Sequence, residues 1–409
     1  MNVLRFIVDG TREMLSGSRE YWLWLFTLAV VVAYGVWNYN QQLTNGLVVT
    51  GMSDQVSWGF YIANFAFLVG IAAAAVLLVI PAYIFHRKDI KDVVLVGEGM
   101  AVAAVLMAIM FVVADLGRPD RLWHMIPFIG RFNWPTSLLA WDVLVLSGYF
   151  LLNLAIPFYL LYKRYCGEEA NFRLYFPLVV LSMFWAISIH TVTAFLFSAN
   201  PARPFWHTAL LGPRFIASAF ASGPALIIIT LQIVKKVTTY DVSRTVIDTL
   251  ALIMAIAMQI NLFFVGAELF TDFYNEGAHA ASIHYLFLGL DGYNSLQPWI
   301  WFALALNVAA VVILMINPLR KNMRYLNIAC VLAFFGIWIE KGMGLVIPGF
   351  VPTPLGEIFE YVPTSVELSV AAGIWAFGIL VFTLLAKAVI AIEQGQLQAP
   401  ASGEPYSSL

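Results

Sequence analysis

The fold is decided by residues 93–119, which read VVLVGEGMAVAAVLMAIMFVVADLGRP. The apolar part of this stretch runs from residue 93 to residue 114 and holds one charged side chain, Glu98. About 20 apolar residues allow an α-helix to cross the ~30 Å hydrocarbon core of a bilayer. The stretch therefore predicts a transmembrane helix, followed by a polar turn that begins at Asp115.

The composition of the whole chain supports the same interpretation. Of the 409 residues, 61% are hydrophobic and 11% are charged, whereas an ordinary soluble domain has about 25% charged residues. So few charges cannot cover a soluble globule, and we predict an all-α membrane protein with ten transmembrane helices. The first apolar stretch lacks a small-residue cleavage site, so we expect it to be retained. The ten apolar stretches are 21–38, 58–85, 92–115, 136–161, 174–198, 214–236, 245–270, 296–317, 323–347 and 365–391.

Basic residues are unevenly divided between the two sets of loops. The tails and the loops on their side hold 16 Lys and Arg residues, against five in the opposite loops. The positive-inside rule therefore predicts that both termini are cytoplasmic. The opposite, outer loops are long, aromatic and rich in Pro and Gly, which suits either a docking surface or plain connectors. They are 116–135, 199–213, 271–295 and 348–364.

A faint internal repeat suggests how the helices are grouped. FLVG at 67–70 matches FASG at 220–223, and ADL at 114–116 matches AEL at 267–269, both at an offset of 153 residues. If the repeat is real, helices 2–5 and 6–9 form two four-helix bundles, and the first and last helices are peripheral. The predicted segments are the first helix with its tail and outer loop, the two bundles, and the last loop with its helix and tail. Their bounds are 1–57, 58–198, 199–347 and 348–409.

Polar side chains within the apolar stretches are candidates for function. A charge at bilayer depth costs about 2.5–3.5 kcal/mol, so each one that is kept needs a reason. Asp115 and His190 both map near the outer face, and a carboxylate can fix the tautomer of an imidazole that titrates near neutral pH. We therefore assign His190 and Asp115 a catalytic role. The candidates for proton transfer are Glu98, Asp248, Glu268, Asp272, Glu340 and Lys341.

Structural roles are open for several of these groups. Asp142, two turns below the outer face, could serve only an interhelical hydrogen bond. Glu340 and Lys341 could pair with neighbouring helices, and Asp248 is close enough to the membrane boundary to be solvated. In WGFYIANF, which starts at Trp58, an aromatic belt would explain the tryptophan but would not explain Asn64, two turns into an apolar run.

This set of side chains suits a quinone. A quinone needs a hydrophobic slot, hydrogen-bonding groups for two oxygens, and groups that exchange two protons. Haem fits less well, because bis-histidine ligation requires facing histidines at depth. Two cysteines, Cys166 and Cys330, cannot ligate an iron-sulfur cluster, and a net charge of −2 argues against nucleic acid. We therefore expect no metal, haem or iron-sulfur site in this chain. The other histidines map to loops or helix ends: His86, His124, His207, His279 and His284.

Three motifs carry a resemblance to a known family. They are WGFYIANFAFLVG at 58–70, DLGRPDRLW at 115–123 and HTVTAFLFSANPARPFWHTALLGPRFIASAFASG at 190–223. With these motifs the chain resembles the NrfD-like integral membrane subunits of polysulfide-reductase-type complexes. Its ten-helix form is most similar to the DsrP-type members, which belong to the DsrMKJOP complex of sulfur-metabolising prokaryotes.

The resemblance implies a function and a set of partners. The chain would exchange electrons between menaquinone or ubiquinone and an extracytoplasmic ferredoxin-like iron-sulfur subunit, in sulfur or sulfate metabolism in a prokaryotic cell membrane. A multihaem cytochrome and further membrane and cytoplasmic redox subunits are implied as well. Some relatives are proposed to move protons through polar residues in the bundles, for which Glu98, Asp248, Glu268 and Glu340 are the candidates here.

The resemblance also implies a quinone site in the first bundle near the outer face. By motif position it nominates Trp58, Tyr61, Asn64 and Arg118, beside Asp115 and His190. His124 and Asp142 are added by their depth. Two alternative functions stay open: a proton-coupled transporter, which a helix broken at SGPAL (222–226) would favour, and a structural anchor for redox partners without quinone chemistry.

Overall fold

The computed structural model describes residues 3–85, 87–275, 277 and 280–400. His86 and His279, two of the histidines assigned to loops or helix ends, lie outside these residues. The described α-helices are α1 Val3–Met14, α2 Arg19–Asn45, α3 Phe60–Ala73, α4 Val76–Val79, α5 Lys88–Asp115, α6 Leu138–Tyr165, α7 Phe172–Ser198, α8 Leu211–Val237, α9 Arg244–Asn275, α10 Ala280–Phe287, α11 Gln297–Met315, α12 Asn317–Lys321, α13 Met323–Lys341, α14 Met343–Val346 and α15 Ser365–Glu393.

The prediction of an all-α protein with ten candidate membrane spans is confirmed. In the described part of the chain there is no strand, only an isolated bridge between Leu290 and Tyr293. A helix satisfies its backbone hydrogen bonds within one segment, which is what a bilayer requires. The ten spans are Arg19–Asn45, Phe60–Ile84, Asp89–Asp115, Leu138–Tyr165, Phe172–Ser198, Leu211–Val237, Arg244–Tyr274, Gln297–Met315, Met323–Phe350 and Ser365–Glu393.

One span contains a break that the sequence pattern does not predict. In the second span α3 ends at Ala73, α4 follows after two residues, and a π-helical turn covers Ile80–Ile84. Pro81 lies in that turn, where its missing N–H and its ring disturb regular α-helix. By contrast, α8 continues through Pro224, so SGPAL is not a break.

The helices contact one another in two closed series. α3 packs on α5, α5 on α6, α6 on α7, and α7 returns to α3; we call these four the first helix group. α8, α9, α11 and α13 form the second helix group in the same way. The two groups meet where α3 and α7 contact α8. At this seam a Cβ added to Gly223 would lie 1.9 Å from the Cβ of Ala74, so glycine is needed for the close approach.

The first and last spans pack against each other beside the first group. α15 contacts both α2 and α5. The crossing of α2 and α15 places Gly35 against Gly373, and a Cβ added to Gly35 would lie 2.6 Å from the Cα of Gly373. Two glycines therefore bring the two backbones together, as small residues do at many membrane helix interfaces.

The loops 46–59, 116–137, 199–210 and 347–364 lie at one end of the helices, which we call the long-loop end. Trp206 is buried there, stacks on Trp58 with 5.6 Å between ring centroids, and donates to the carbonyl of Leu345 over 2.8 Å. Tyr361 receives the N–H of Phe60 over 2.8 Å. These contacts fix the loops to the start of one span, at Phe60, and to the end of another, at Leu345.

The described terminal residues meet at the opposite end, which we call the termini end. Arg164 forms an ion pair with Glu393, and the N–H of Ala399 donates to the carbonyl of Tyr165. The chain before the first span, predicted only as a tail, forms helix α1. Phe6 of α1 packs edge-on against Tyr165, while Leu4 stays exposed. A criterion of spanning length does not detect an amphipathic helix as short as this one.

The glycine pair between α2 and α15 allows a stability prediction. We expect Gly35→Ala to lower the melting temperature of the detergent-solubilised protein, because its Cβ would press on backbone that cannot rotate away. Overpacking of this kind costs about 1–3 kcal/mol. Gly266→Ala is the matched control, since a Cβ there meets nothing within 4 Å. Equal melting temperatures for the two variants would contradict the close packing of α2 on α15.

Candidate functional site

A cavity of about 320 Å³ lies at the long-loop end of the second helix group. Its walls combine apolar side chains with charged and hydroxyl groups from the start of α8 and the end of α9. The lining residues are Phe205, His207, Thr208, Leu210, Leu211, Arg214, Glu268, Thr271, Asp272, Gly277 and Leu345. Two residues predicted for proton transfer, Glu268 and Asp272, therefore share one cavity.

Arg214 connects this cavity to a buried charge network. Its guanidinium pairs with Glu268 and donates over 2.9 Å to Glu340, whose side chain is buried. The amides of Asn261 and Asn307 donate to the other oxygen of Glu340 over 3.1 and 2.8 Å. A buried carboxylate is tolerated when counter-charge and hydrogen bonds replace its hydration, and Glu340 has both.

Lys341 faces a different set of neighbours from Glu340. Its Nζ lies 4.1 Å from the centre of the Phe215 ring and 3.5 Å from the Phe215 carbonyl. A Cβ added to Gly70 would lie 3.2 Å from the same Nζ, so the lysine reaches the seam between the helix groups. Glu340 and Lys341 are buried and Arg214 and Glu268 are half-buried, and the formal charges of these four side chains cancel.

Arg214 is a residue that the sequence analysis missed. It counts there only among the basic residues of the outer loops, because a charge at a span boundary is inexpensive and carries no signal by itself. In the structure it lies in the first turn of α8 and points to acids on α9 and α13. The available signal was the pairing of an arginine and a glutamate at the same end of two consecutive, antiparallel spans.

In the first helix group, Tyr61 and Asp115 lie at the long-loop end. Tyr61 is fully buried, and its hydroxyl donates to Oε1 of Gln42 over 2.8 Å. The amide nitrogen of Gln42 donates to the carbonyl of Ala114 over 2.7 Å. Asp115 and Tyr61 interact electrostatically, and the buried Oδ1 of Asp115 has no hydrogen-bond partner among the described residues. Gln42, which was not among the predicted site residues, thus bonds Tyr61 and the backbone of the residue before Asp115.

Asn64, which is predicted to bind the cofactor, forms hydrogen bonds to three helices. Its Oδ1 accepts from the indole N–H groups of Trp338 and Trp375 over 3.0 and 2.9 Å. Its Nδ2 donates to the carbonyl of Phe60 over 2.8 Å. The amide therefore ties α3 to α13 and α15, which is a sufficient structural reason for a polar group at this depth.

His190 is buried in α7, and its tautomer is set by the backbone. Its Nδ1 lies 3.0 Å from the carbonyl of Ala186, and because a carbonyl only accepts, Nδ1 carries the proton. Nε2 is then an acceptor, and it has no partner among the described residues. The predicted partner that fixes this tautomer was the carboxylate of Asp115, whereas in the structure the Ala186 carbonyl fixes it.

Asp142 forms a hydrogen bond to α7 one turn away from His190. Its buried Oδ1 accepts from the hydroxyl of Thr193 over 2.8 Å, and Thr193 follows His190 by three residues on the same helix. The hydrogen bond joins α6 to α7, which agrees with the structural alternative for Asp142. It leaves the second oxygen of Asp142 for other partners.

The remaining first-group candidates lie at the surface or in packed aromatic contacts. Arg118 forms an exposed ion pair with Asp120, and hydrogen bonds from Arg118 lower the pKa of Asp120. His124 is exposed and stacks on Trp123 with 3.7 Å between ring centroids. Trp58 packs among Phe197, Trp206 and Phe350. The hydrogen bonds and the ion pair of Arg118 go to Asp120, and the ring contact of His124 is with Trp123, rather than with Asp115, Tyr61 or His190.

The two acids nearer the termini end differ in environment. Asp248 is partly exposed and pairs with Arg244 one turn away, which agrees with its solvated alternative. Glu98 is buried, and its Oε2 has no partner among the described residues. In the part of the chain that the structure describes, His, Cys, Asp and Glu side chains form no group of three or more that could hold a metal ion.

Comparison with known proteins gives a consistent set of relatives. The family model described as "Polysulphide reductase, NrfD" matches residues 48–352. A putative membrane subunit of dimethyl sulfoxide reductase from Halobacterium salinarum is 26% identical over 88% of this chain and 88% of its own length. An Hdr-like menaquinol oxidoreductase integral membrane subunit from Archaeoglobus fulgidus is 27% identical over 91% and 94%. A selenate reductase subunit from Mesobacillus selenatarsenatis is 21% identical over 90% and 93%.

The charge network around Arg214 predicts a large loss of stability on its removal. In Arg214→Gln, Glu268 and Glu340 lose the cation between them, and breaking a buried ion pair by removing one partner costs about 3–5 kcal/mol. We expect a lower unfolding temperature in detergent. Arg214→Gln/Glu268→Gln should recover part of the loss, because Glu340 and Lys341 then balance each other. Arg118→Gln, in an exposed pair, is the control. Wild-type stability of Arg214→Gln would show that the network carries no such free energy.

Proposed function

This chain belongs to the polysulphide reductase NrfD family, and from that membership we propose that it is the quinone-interacting membrane subunit of a respiratory oxidoreductase complex. The proposal is that it exchanges electrons between the menaquinone or ubiquinone pool and an iron-sulfur subunit. One of its relatives carries the name menaquinol oxidoreductase, and others are named as subunits of dimethyl sulfoxide reductase and selenate reductase. The substrates in these names differ, so we assign the shared quinone chemistry to the membrane subunit and the substrate to a partner.

The observation that carries the proposal is a pair of buried acceptors without partners. Oδ1 of Asp115 and Nε2 of His190 are both in the first helix group, and neither has a hydrogen-bond partner in the described structure. An unsatisfied buried polar atom costs about 1–3 kcal/mol, which a ligand can recover. A bound quinol gives up two protons with its two electrons. A carboxylate and a neutral imidazole nitrogen are groups that can accept them.

We assign the other first-group residues narrower roles in this site. Tyr61 contributes a hydroxyl at the level of Asp115, and Asp142 holds Thr193 one turn from His190. Trp58 lies in the aromatic cluster with Trp206 and supplies an apolar wall. Asn64 shapes the site by fixing α3, and Arg118 and His124 lie in the exposed loop, where they could contact a partner protein.

We place the redox partner on the long-loop end. Large apolar side chains are exposed there, among them Phe128, Ile129 and Leu355, and exposed apolar patches of this kind mark protein interfaces. From the charge bias of the loops we propose that this end is extracytoplasmic and that both termini are cytoplasmic. The partner is then an extracytoplasmic ferredoxin-like subunit. With the DsrP-type resemblance, the complex would also hold a multihaem cytochrome and further redox subunits and would act in sulfur metabolism.

A second proposal concerns protons. Glu268, Asp272, Glu340 and Lys341 lie in or next to the Arg214 network, which borders a cavity large enough for water. We propose that this cluster takes up or releases protons at the long-loop end. A path across the whole membrane would also need Glu98, which is separated from Asp115 by the apolar residues 101–113. Proton translocation therefore requires water molecules, or polar groups from another helix, between Glu98 and Asp115.

The quinone proposal predicts loss of quinol-linked electron transfer on substitution of the buried acceptors. We expect the purified complex to retain extractable quinone, and we expect His190→Ala or Asp115→Asn to lower quinol turnover by about 100-fold or more, the contribution of a general base. Asp241→Asn, in an exposed pair with Lys235, is the control. Normal turnover and quinone content in both site variants, with normal assembly, would favour the anchor function.

The proton proposal predicts a stoichiometry. Quinol oxidation at the long-loop end alone releases one proton per electron, without a path across the membrane. In sealed vesicles, translocation would raise the measured ratio above one, and Glu340→Gln or Glu98→Gln should return it to one while electron transfer continues. A ratio of one proton per electron in the wild-type complex would contradict proton translocation and would agree with local proton release alone.

A further inference from the structure

Gln42 determines which way the hydroxyl of Tyr61 points. The Ala114 carbonyl can only accept, so the group of Gln42 that faces it over 2.7 Å is the NH₂ group. Oε1 of the same amide must then face Tyr61, 2.8 Å away, and can only accept from it. The proton of Tyr61 is therefore committed to Gln42. What Tyr61 can offer to a ligand is the lone pairs of its oxygen.

Residues of the last span and of the loop before it fix the position of α3, which carries Tyr61. Glu367 is fully buried and accepts from the hydroxyl of Tyr361, from the N–H of Gly51 over 2.7 Å and from that of Thr364 over 2.9 Å. Burial and the carboxylate of Glu367 raise the pKa of Tyr361, so its hydroxyl stays protonated. The oxygen of Tyr361 caps the first turn of α3 at Phe60. Residues outside the first group thus fix the helix that carries Tyr61.

The free atoms of the site share one property. Nε2 of His190 accepts because Nδ1–H is committed to Ala186, and Oη of Tyr61 accepts because its proton is committed to Gln42. Oδ1 of Asp115 accepts when its carboxyl group is ionised. A quinol carries two O–H donors, whereas an oxidised quinone carries two carbonyl acceptors. Acceptor facing acceptor leaves buried polar groups unpaired, which disfavours the oxidised form.

From this pattern we propose that the first-group site is built to bind the reduced quinol in preference to the oxidised quinone, and that Gln42 is a positioning residue that sets this preference through Tyr61. The inference rests on the proposed function, because it concerns the same site. When the site works in the direction of quinol oxidation, two protons pass to acceptors of this chain, two electrons pass to the partner's clusters, and the oxidised quinone leaves.

The test compares the two redox forms of one small quinone. Each form competes with the fluorescent quinone-site inhibitor 2-heptyl-4-hydroxyquinoline-N-oxide for binding to the purified complex. Menadiol is kept reduced by an anaerobic reductant, and menadione is measured under air. We expect menadiol to displace the inhibitor at about tenfold lower concentration than menadione, the size of one to two hydrogen bonds. A tenfold preference corresponds to a shift of about 30 mV in the midpoint potential of the bound two-electron couple.

The role of Gln42 is tested by a double-mutant cycle. Gln42→Leu frees the proton of Tyr61, which can then donate to a quinone carbonyl, so the preference for menadiol should fall about three- to tenfold. In a Tyr61→Phe background, Gln42→Leu should change the preference no further, because it acts through Tyr61. Asn38→Leu is the matched control, since Asn38 lies one turn earlier on α2 and donates only within its own helix, to Tyr34.

The outcomes separate this inference from the proposed function. If Asp115→Asn and His190→Ala leave inhibitor binding unchanged, the first-group site itself is wrong. If they weaken binding but menadiol and menadione compete equally, or Gln42→Leu and Asn38→Leu behave alike, the site stands and the preference for quinol is wrong. Should Gln42→Leu fail to assemble, Gln42→Glu, which keeps an acceptor for Tyr61, is expected to retain the preference, and its loss would overturn the proposal.

Discussion

The low dielectric constant of the membrane interior is the constraint on which this structure depends, because each polar side chain there must find its partners within the protein. Asn64 has three partners on three helices, and Glu340 has Arg214 and two asparagine amides. Such contacts fix which helices lie side by side where apolar packing alone would allow alternatives. Among the described residues, the few polar atoms left unsatisfied, such as Oδ1 of Asp115, are therefore informative.

The same constraint explains how much of the fold the sequence could predict. Ten spans follow from apolar length, and buried polar residues such as His190 follow from the expense of placing them there. Residues at the span boundaries were not predicted as site residues, because placing a charged or amide group at that depth costs little free energy. Arg214 and Gln42 belong to this class, and each is the partner that determines what a predicted residue can do. Helix α1 was not predicted because it is too short to span the membrane.

The spacing of residues along the sequence could not predict which side chains are hydrogen-bonded to each other in the site. Tyr61 and Asn64 lie within one turn of each other, yet one turns to Gln42 and the other to Trp338 and Trp375. These contacts cross 19, 274 and 311 residues of sequence, and helical periodicity does not reach across such separations. A resemblance places residues in a motif, whereas the direction of each hydrogen bond comes only from the assembled helices.

The glycine seam between the helix groups has a mechanical consequence. Gly223 meets Ala74 with no room for a methyl group, and Lys341 reaches across the same boundary toward Gly70. Alternating access in carriers requires one set of helices to rock over the other around a central site. Here the two helix groups are interlocked at the point where Gly223 meets Ala74. A rocking movement would first have to separate these contacts, so the seam holds the two helix groups in one relative position.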